Sequence, residues 1–333
     1  MSASASRDAV TSLYTRYCGG WLERAGPVHA LARVRHVITR GGRVALDAAR
    51  RGARKRGGAS QWRRRHHRLA KMSATDPVVD RVLLTNDDGI DAPGLAVLEA
   101  VAVTLAREVW VVAPEHDQSG TSHSISLHAP LRYSRQGERR FGVGGTPGDC
   151  VVMGVRHLMA DAPPSLVLAG VNRGGNLGVE TVFSGTVGAA MAGMLLGVPS
   201  IALSQVFTDH QAVRWETARA LAPGVIRKLL AIGWNDQACL NVNFPDVAPE
   251  TAGPLRLTRQ GVGLVRRIDV VARTDPRGFN YHWLKFYRAP REEAADAEAA
   301  VVAAGGIAVT PLQFERTAEG ALRTALASGD VID

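Results

Sequence analysis

Val82-Leu83-Leu84-Thr85-Asn86-Asp87-Asp88-Gly89 is the stretch of this 333-residue chain that decides its fold class. Its apolar run predicts a short strand of the kind that is buried in a parallel sheet. Two adjacent carboxylates and a glycine follow at the strand end where ligands of open α/β sheets collect. The stretch is therefore interpreted either as a site for a hard cation or as an Asp-rich turn, since Asn, Asp and Gly are ordinary turn residues.

Outward from this stretch, short apolar runs alternate with segments of helical spacing, and this alternation predicts βαβ units. Asp91 and Pro93 are typical of a helix start, and apolar residues follow them at helical spacing as far as Leu105. Further strands are predicted at residues 109–113, 166–171, 201–203, 240–244 and 307–310, with one or two more within 255–271, and further helices at 187–196, 218–230 and 294–304. The predicted fold class is α/β, with a mostly parallel sheet flanked by helices.

The composition indicates a globular protein, because 46% hydrophobic residues allow a chain of this length to bury a large core. No apolar run reaches the ~18 residues of a membrane span, so no membrane partner is expected. The three cysteines are widely spaced and odd in number, which predicts neither a disulfide framework nor a CxxC metal motif. A cytoplasmic location fits these features best.

The net charge of +9 is distributed unevenly along the chain. Residues 1–71 hold 17 of the 40 Lys and Arg residues but only 3 of the 31 Asp and Glu residues, so the remaining chain carries 23 basic and 28 acidic residues. The basic character therefore belongs to the first 71 residues alone, and nucleic acid is an expected partner only through that segment.

Residues 1–78 are predicted to form a disordered basic extension ahead of a single domain at 79–333, because few apolar residues recur there at a steady period. Three interpretations of the extension compete. It is a basic arm that binds nucleic acid or anionic surfaces, an Arg-rich targeting segment, or translated sequence that the working protein lacks. The third is favoured, with Met72 as the candidate start, because only a short polar leader separates Met72 from the first strand.

Polar loops follow three of the predicted strands and supply oxygen donors, which are Asp87 and Asp88, Ser119, and Asn172. In a doubly wound sheet these loops meet at one rim. Together the four side chains would form an all-oxygen site of the kind that selects Mg²⁺, Mn²⁺ or Ca²⁺. Taken singly, Ser119 and Asn172 are more typical of loop hydrogen bonding, and only their convergence at the strand ends favours the metal site.

Candidate phosphate contacts lie in three further segments. Ser184-Gly185-Thr186 precedes a predicted helix and is either an anion site at its N-terminus or a plain N-cap. The glycine-rich loop 172–178, which contains Asn176, either lets the backbone approach a phosphate or makes a tight turn. His123 is either a proton donor or phosphate contact, or a hydrogen-bonded loop histidine. The absence of a GxxxxGK[ST] motif excludes a P-loop NTPase.

These segments together resemble the SurE family, the metal-dependent survival-protein nucleotidases. The similarity covers about residues 80 to 315, and its five ordered motifs are residues 84–94, 111–124, 145–151, 170–178 and 184–190. The resemblance implies that Asp87, Asp88, Ser119 and Asn172 bind one divalent cation per subunit. Asp87 and Asp88 are predicted to be its catalytic anchors, and Ser184, Gly185, Thr186, Asn176 and His123 are predicted to contact the substrate phosphate.

The implied activity is hydrolysis of nucleoside 5′-monophosphates, often of 3′-nucleotides, and in some members of short polyphosphate. The implied fold is a Rossmann-like core with C-terminal strand and helix extensions that join homodimers or homotetramers. Ala192, Phe183 and Gly148 depart from the usual Glu, Tyr and Ala of the family. A nucleotide-binding protein without catalysis therefore stays open as one alternative, and a nucleic-acid-associated factor acting through the Arg-rich arm as another.

Overall fold

A computed structural model of the chain describes residues 76–209, 212–289 and 291–318, together with 320 and 323. The predictions for the basic extension and for the start at Met72 therefore lie outside the described residues, apart from positions 76–78. None of the helices in this described part combines the length and apolar character that a membrane span needs.

Nine strands form one sheet, and two more form a separate hairpin. The strands of the sheet are β1 (Val79–Thr85), β2 (Ala106–Pro114), β3 (Tyr133–Gly137), β4 (Arg140–Val143), β5 (Leu166–Arg173), β6 (Ser200–Gln205), β7 (Cys239–Phe244), β8 (Leu255–Leu257) and β11 (Ile307–Leu312). The hairpin pairs β9 (Val265–Thr274) with β10 (Asn280–Arg288). The α-helices are α1 (Pro93–Ala102), α2 (Pro147–Met153), α3 (Gly185–Leu195), α4 (Trp215–Ile232) and α5 (Glu298–Ala303).

The sheet order is β3-β4-β2-β1-β5-β6-β7-β11-β8, and the six strands from β4 to β7 are parallel. The chain leaves β1 toward β2 on one side and later returns to β5 on the other side. The strand order therefore reverses at β1, and a crevice opens there at the carboxyl ends of the strands. This arrangement confirms the predicted Rossmann-like, mostly parallel α/β fold and sets Asp87 and Asp88 at the reversal point.

The two faces of the sheet bury separate hydrophobic clusters, because successive side chains of a strand point to opposite faces. On β1, Leu84 belongs to the cluster that includes Leu95 and Leu98 of α1 and Ala218 of α4. Leu83 belongs to the other cluster, which includes residues of α2 and α3. β1 is thus covered on both sides, as its continuous apolar run indicated.

Four elements were not predicted from the sequence, namely β3, β4, α2 and β10. The strands β3 and β10 are exposed along most of their length, so they carry no apolar pattern that marks a core face. The start of α2 did carry a readable signal, since Thr146 and Asp149 form a capping box. Pro93 begins α1 as predicted, but Asp91 does not cap it, because the N-cap is Ala92 and makes no side-chain bond.

Candidate metal and phosphate site

The turn after β1 is shaped by Asn86 and Gly89. The Asn86 amide donates to the carbonyl oxygen of Gly89 at 2.7 Å and closes the turn. Gly89 has a φ of +99°, and a Cβ there would lie 3.3 Å from the carbonyl carbon of His116. The turn interpretation of this stretch is therefore correct, and the same turn presents the carboxylates of Asp87 and Asp88 at the crevice.

Asp87 is buried against the N-terminus of α3, with 4% of its surface exposed. The hydroxyl and the backbone N–H of Thr186 both donate to its carboxylate. Gly185 allows this approach, since a Cβ there would lie 2.8 Å from the Cβ of Asp87. Burial raises the pKa of Asp87, and the bonds from Thr186 offset part of that rise. The helix dipole favours a negative charge at this end.

Asp88 points to the other side of the crevice, where the backbone N–H of Arg173 donates to its Oδ2 at 3.3 Å. Burial and then the neighbouring charge of Asp87 raise the pKa of Asp88 to about 6. The two carboxylates therefore repel each other in a poorly hydrated place. A divalent cation between them would relieve this repulsion, because an opposite charge favours the ionised form of each carboxyl group.

The loops that carry Ser119 and Asn172 meet the Asp pair. The N–H of Gln118, next to Ser119, donates to the carbonyl oxygen of Asp87 at 2.7 Å. Asn172 precedes Arg173, whose N–H contacts Asp88, and the Asn172 amide donates to the carbonyl oxygen of Gly174 at 2.9 Å. That bond uses the nitrogen of the amide, so its oxygen remains the atom suited to a cation.

This donor set fits a hard cation. Carboxylate, hydroxyl and amide oxygens are the ligands that Mg²⁺, Mn²⁺ and Ca²⁺ prefer. Within the part of the chain that the structure describes, no group of three or more His, Cys, Asp or Glu side chains is placed to hold a metal ion. A cation held here would therefore depend on two carboxylates supplemented by neutral oxygen donors.

The residues predicted to hold phosphate divide into two groups. Ser184 is the N-cap of α3, with its oxygen accepting from the N–H of Val187 at 3.0 Å, so the N-cap interpretation holds. Thr186 bonds Asp87, as described above, and Gly185 packs against the same side chain. Gly185 and Thr186 thus lie against Asp87, while the Ser184 and Thr186 side chains are already engaged in bonds within the protein.

His123 and Asn176 lie in hydrogen-bonded surroundings of their own. The His123 ring is 3.1 Å from the Ser122 hydroxyl and 2.8 Å from the Met191 sulfur, and burial lowers its pKa. The Asn176 amide donates to the Ser204 hydroxyl at 2.8 Å, and its backbone N–H donates to Asn243 at 2.9 Å. Both side chains thus have structural partners, and their predicted phosphate contacts stay predictions.

A cavity of about 440 Å³ opens beside Asp88 and was not anticipated from the sequence. Its lining includes Asp117, Arg173 and Trp215. Asp117 adds to the rise in the pKa of both Asp87 and Asp88 through its negative charge. The sequence feature that could have pointed to Asp117 was its position two residues before Ser119 in the same polar loop. Trp215 comes from the start of α4, which no local pattern connects with the Asp pair.

Comparison with known proteins decides the family. The model described as "Survival protein SurE" matches residues 82–267, which is more than half of the chain. The chain belongs to the SurE family. It is 63% identical over 251 residues to a protein of Burkholderia lata named "5'-nucleotidase SurE 1", a match that covers 75% of this chain and 97% of that protein. A "5'-nucleotidase SurE" of Nitrobacter winogradskyi is 48% identical over 243 residues, covering 72% and 95%.

The fold comparison agrees with this assignment. The crystal structure of the SurE protein from Aquifex aeolicus superimposes with a TM-score of 0.64 at 33% identity, and the match covers 75% of this chain and all of that one. In this SurE chain, Ala192 is buried within α3 and contributes to the second hydrophobic cluster. Phe183 packs edge-on against Phe286 of β10, with 5.6 Å between ring centroids. Phe183 thus lies against the hairpin in addition to preceding the Ser184 cap.

Proposed function

We propose that this SurE chain is a divalent-metal-dependent phosphomonoesterase that hydrolyses nucleoside 5′-monophosphates to nucleoside and phosphate. The relatives named above carry the name 5′-nucleotidase. The observation that carries the proposal within this chain is the buried Asp87 beside the half-buried Asp88 at the strand reversal, with the loops of Ser119 and Asn172 against them. 3′-Nucleotides and short polyphosphate are proposed as further substrates.

The cation is proposed to be one Mg²⁺, Mn²⁺ or Ca²⁺ per subunit, held by Asp87, Asp88, Ser119 and Asn172. When bound, it supplies positive charge to the phosphoryl group and lowers the pKa of a coordinated water. The protein's own contribution is orientation. Thr186 fixes the Asp87 carboxylate with two hydrogen bonds, and the N–H of Arg173 fixes the Asp88 carboxylate.

The phosphate is proposed to lie at the N-terminus of α3, where Ser184, Gly185 and Thr186 set the positive end of the helix dipole beside the carboxylate pair. His123 and Asn176 are proposed to contact it from the flanking loops. The cavity with Trp215 and Arg173 gives room for the remainder of the substrate. Charge that develops on the phosphoryl group would be stabilised in a site whose dipoles are already oriented.

Phosphate release from AMP by the full chain tests the proposal. We expect turnover with Mn²⁺ or Mg²⁺, and its loss on addition of EDTA followed by recovery when excess metal is restored. A parallel assay with 3′-AMP and tripolyphosphate ranks the substrates. AMP binding without phosphate release under any of the metals would contradict the proposal and favour the alternative of a nucleotide-binding protein without catalysis.

We also propose that the protein is a homodimer or homotetramer joined through the hairpin of β9 and β10. An isolated two-stranded hairpin is only marginally stable in water. This one nevertheless exposes Val270, Trp283 and Leu284, at 64%, 62% and 71%. Burial of these apolar side chains against a second copy would offset the cost of their exposure.

Light scattering on the full chain measures the assembly. The double variant Trp283→Arg, Leu284→Glu is expected to be a monomer, whereas the wild type is expected to have the mass of two or four chains. Leu127→Arg is the matched control, because Leu127 is 79% exposed and lies outside the hairpin. A monomeric wild type at micromolar concentration would refute the proposed assembly.

A further inference from the structure

Glu298 is a fully buried carboxylate far from the Asp pair in sequence. It begins α5, its exposed fraction is 0%, and burial raises its pKa. Three neutral donors converge on it, namely the hydroxyl of Thr310 and the backbone N–H groups of Gly178 and Gly261. Burying a carboxylate is costly unless it is well hydrogen-bonded. An ionised carboxylate only accepts hydrogen bonds, so it can pair with all three of these donors. A neutral, protonated carboxyl group would present a donor of its own to them.

The contact with Gly178 connects Glu298 to the loop that begins at Asn172. Gly178 has a φ of +57°, and a Cβ there would lie 2.2 Å from the backbone nitrogen of Gly263, so no other residue fits without displacing the backbone. The Gln260 amide donates to the carbonyl oxygen of Gly178 at 2.8 Å. Both polar backbone groups of Gly178 are therefore bound by side chains from the last third of the chain.

The loop between Asn172 and Gly178 is bonded along its length. The N–H of Gly174 donates to the carbonyl oxygen of Gln205 at 3.0 Å, and the Asn172 amide bonds the carbonyl of Gly174. The carbonyl oxygen of Asn176 accepts from the amides of Asn241 and Asn243, at 2.8 and 3.1 Å. These bonds hold the segment from Asn172 to Gly178 in one conformation, and Gly178 is the end of that segment that Glu298 binds.

We propose that Glu298 is a positioning residue for the candidate metal site, acting through Gly178 on the loop that carries Asn172. This inference rests on the proposed function, since it takes Asn172 to be a ligand of the cation. The competing explanation is that Glu298 only stabilises the packing of α5 against β11. That explanation predicts a change in the free energy of unfolding without a change in metal affinity.

Glu298→Gln in the full chain separates the two explanations. Glutamine keeps the shape but turns one acceptor into a donor that faces the N–H groups. We expect Mn²⁺ to bind about 10-fold to 100-fold more weakly by calorimetric titration, the loss typical of removing a residue that orients a ligand. We also expect kcat for AMP to fall more than KM changes, because the phosphate contacts proposed for Ser184, Gly185 and Thr186 at the start of α3 remain.

Glu293→Gln is the matched control. Glu293 accepts from the N–H groups of Val262 and Gly263, at 3.1 and 3.0 Å, and so binds the same segment as Glu298. No hydrogen bond connects it to Gly178 among the described residues. We expect this variant to bind Mn²⁺ within about twofold of the wild type.

Gln260→Met is a second variant in case Glu298→Gln fails to fold. It removes one of the two side-chain donors to the carbonyl of Gly178, the other being the Thr181 hydroxyl at 2.9 Å, without touching the buried carboxylate, and we expect several-fold weaker Mn²⁺ binding. Wild-type Mn²⁺ affinity in folded Glu298→Gln, or in Gln260→Met if the former does not fold, overturns the inference. A wild type that binds Mn²⁺ but does not hydrolyse AMP refutes the proposed function alone, and one that binds no divalent cation refutes both.

Discussion

Asp88→Asn is expected to lower kcat for AMP by at least about 100-fold to 1,000-fold, comparable to the loss of one preorganised electrostatic group in other enzymes. The substitution keeps the size of the side chain and an oxygen that can accept from the N–H of Arg173. It removes the negative charge that the cation needs. Mn²⁺ affinity should fall together with kcat, as steady-state assays and calorimetric titration would show.

Asp88→Asn should not lower the stability of the fold. The pKa of Asp88 is raised from 3.8 to about 6, so the folded protein holds this proton more tightly than the unfolded chain does. Ionised Asp88 therefore lowers the stability of the metal-free protein, by an amount that grows as pH rises from about 4 to 6 and is constant above. Asp88→Asn removes this penalty. We expect it to be at least as stable as the wild type at pH 7 without metal.

Asp91→Asn is the matched control for that experiment. Asp91 lines the same cavity but is exposed, and its one ion pair among the described residues is with Arg140, at 3.9 Å. The same chemical change there should leave kcat within about twofold, since an exposed ion pair contributes little. Near-normal turnover in Asp88→Asn, or an equal loss in both variants, would contradict the assignment of Asp88 to the cation.

Gly94→Ala is expected to lower the free energy of unfolding by about 2–3 kcal/mol, the upper part of the range of roughly 1–3 kcal/mol for overpacking a well-packed site. A Cβ at Gly94 would lie 1.9 Å from the carbonyl oxygen of Val171 and 3.1 Å from the Trp215 ring. The first contact is with backbone, so α1 must move away from β5. Urea unfolding of the full chain measures the loss.

Gly94→Ala should also weaken activity. The carbonyl group that the new Cβ would displace belongs to Val171, the residue directly before Asn172.

Gly224→Ala is the matched control for the stability measurement. Gly224 lies inside α4, and a Cβ there meets no atom within 4 Å. Alanine in a helix interior should instead stabilise the protein by up to about 1 kcal/mol. Equal unfolding curves for the two variants would show that the close approach of α1 to β5 is not a constraint on stability.

Local patterns predicted the interior strands well, because a buried strand has to be apolar throughout. The run at 82–84 became β1, and the runs at 166–171 and 201–203 became β5 and β6 with one or two residues added at the ends. The exposed hairpin was only partly predicted. β10 is exposed along most of its length, so its mixture of aromatic and basic residues carries no signal of burial.

The site was predicted less completely than the fold. Asp87, Asp88, Ser119 and Asn172 were chosen because each follows a strand, and the structure brings their loops together at the strand reversal. Thr186 was predicted as a phosphate contact, whereas its hydroxyl donates to Asp87 across 99 residues of sequence. No local pattern distinguishes these two uses of a hydroxyl at a helix start.

The sequence by itself determined the α/β class, the order of the polar loops and the SurE resemblance, because hydrophobic periodicity and short motifs are properties of neighbouring residues. Only the tertiary structure decided which side chains meet. The cavity beside Asp88 is lined by Trp215 together with residues of the loops after β1 and β2. Glu298 accepts a hydrogen bond from Gly178, which is 120 residues away in the sequence. Such contacts depend on how the strands are ordered and on which loops share an edge of the sheet, and that order is fixed only when the two hydrophobic clusters pack.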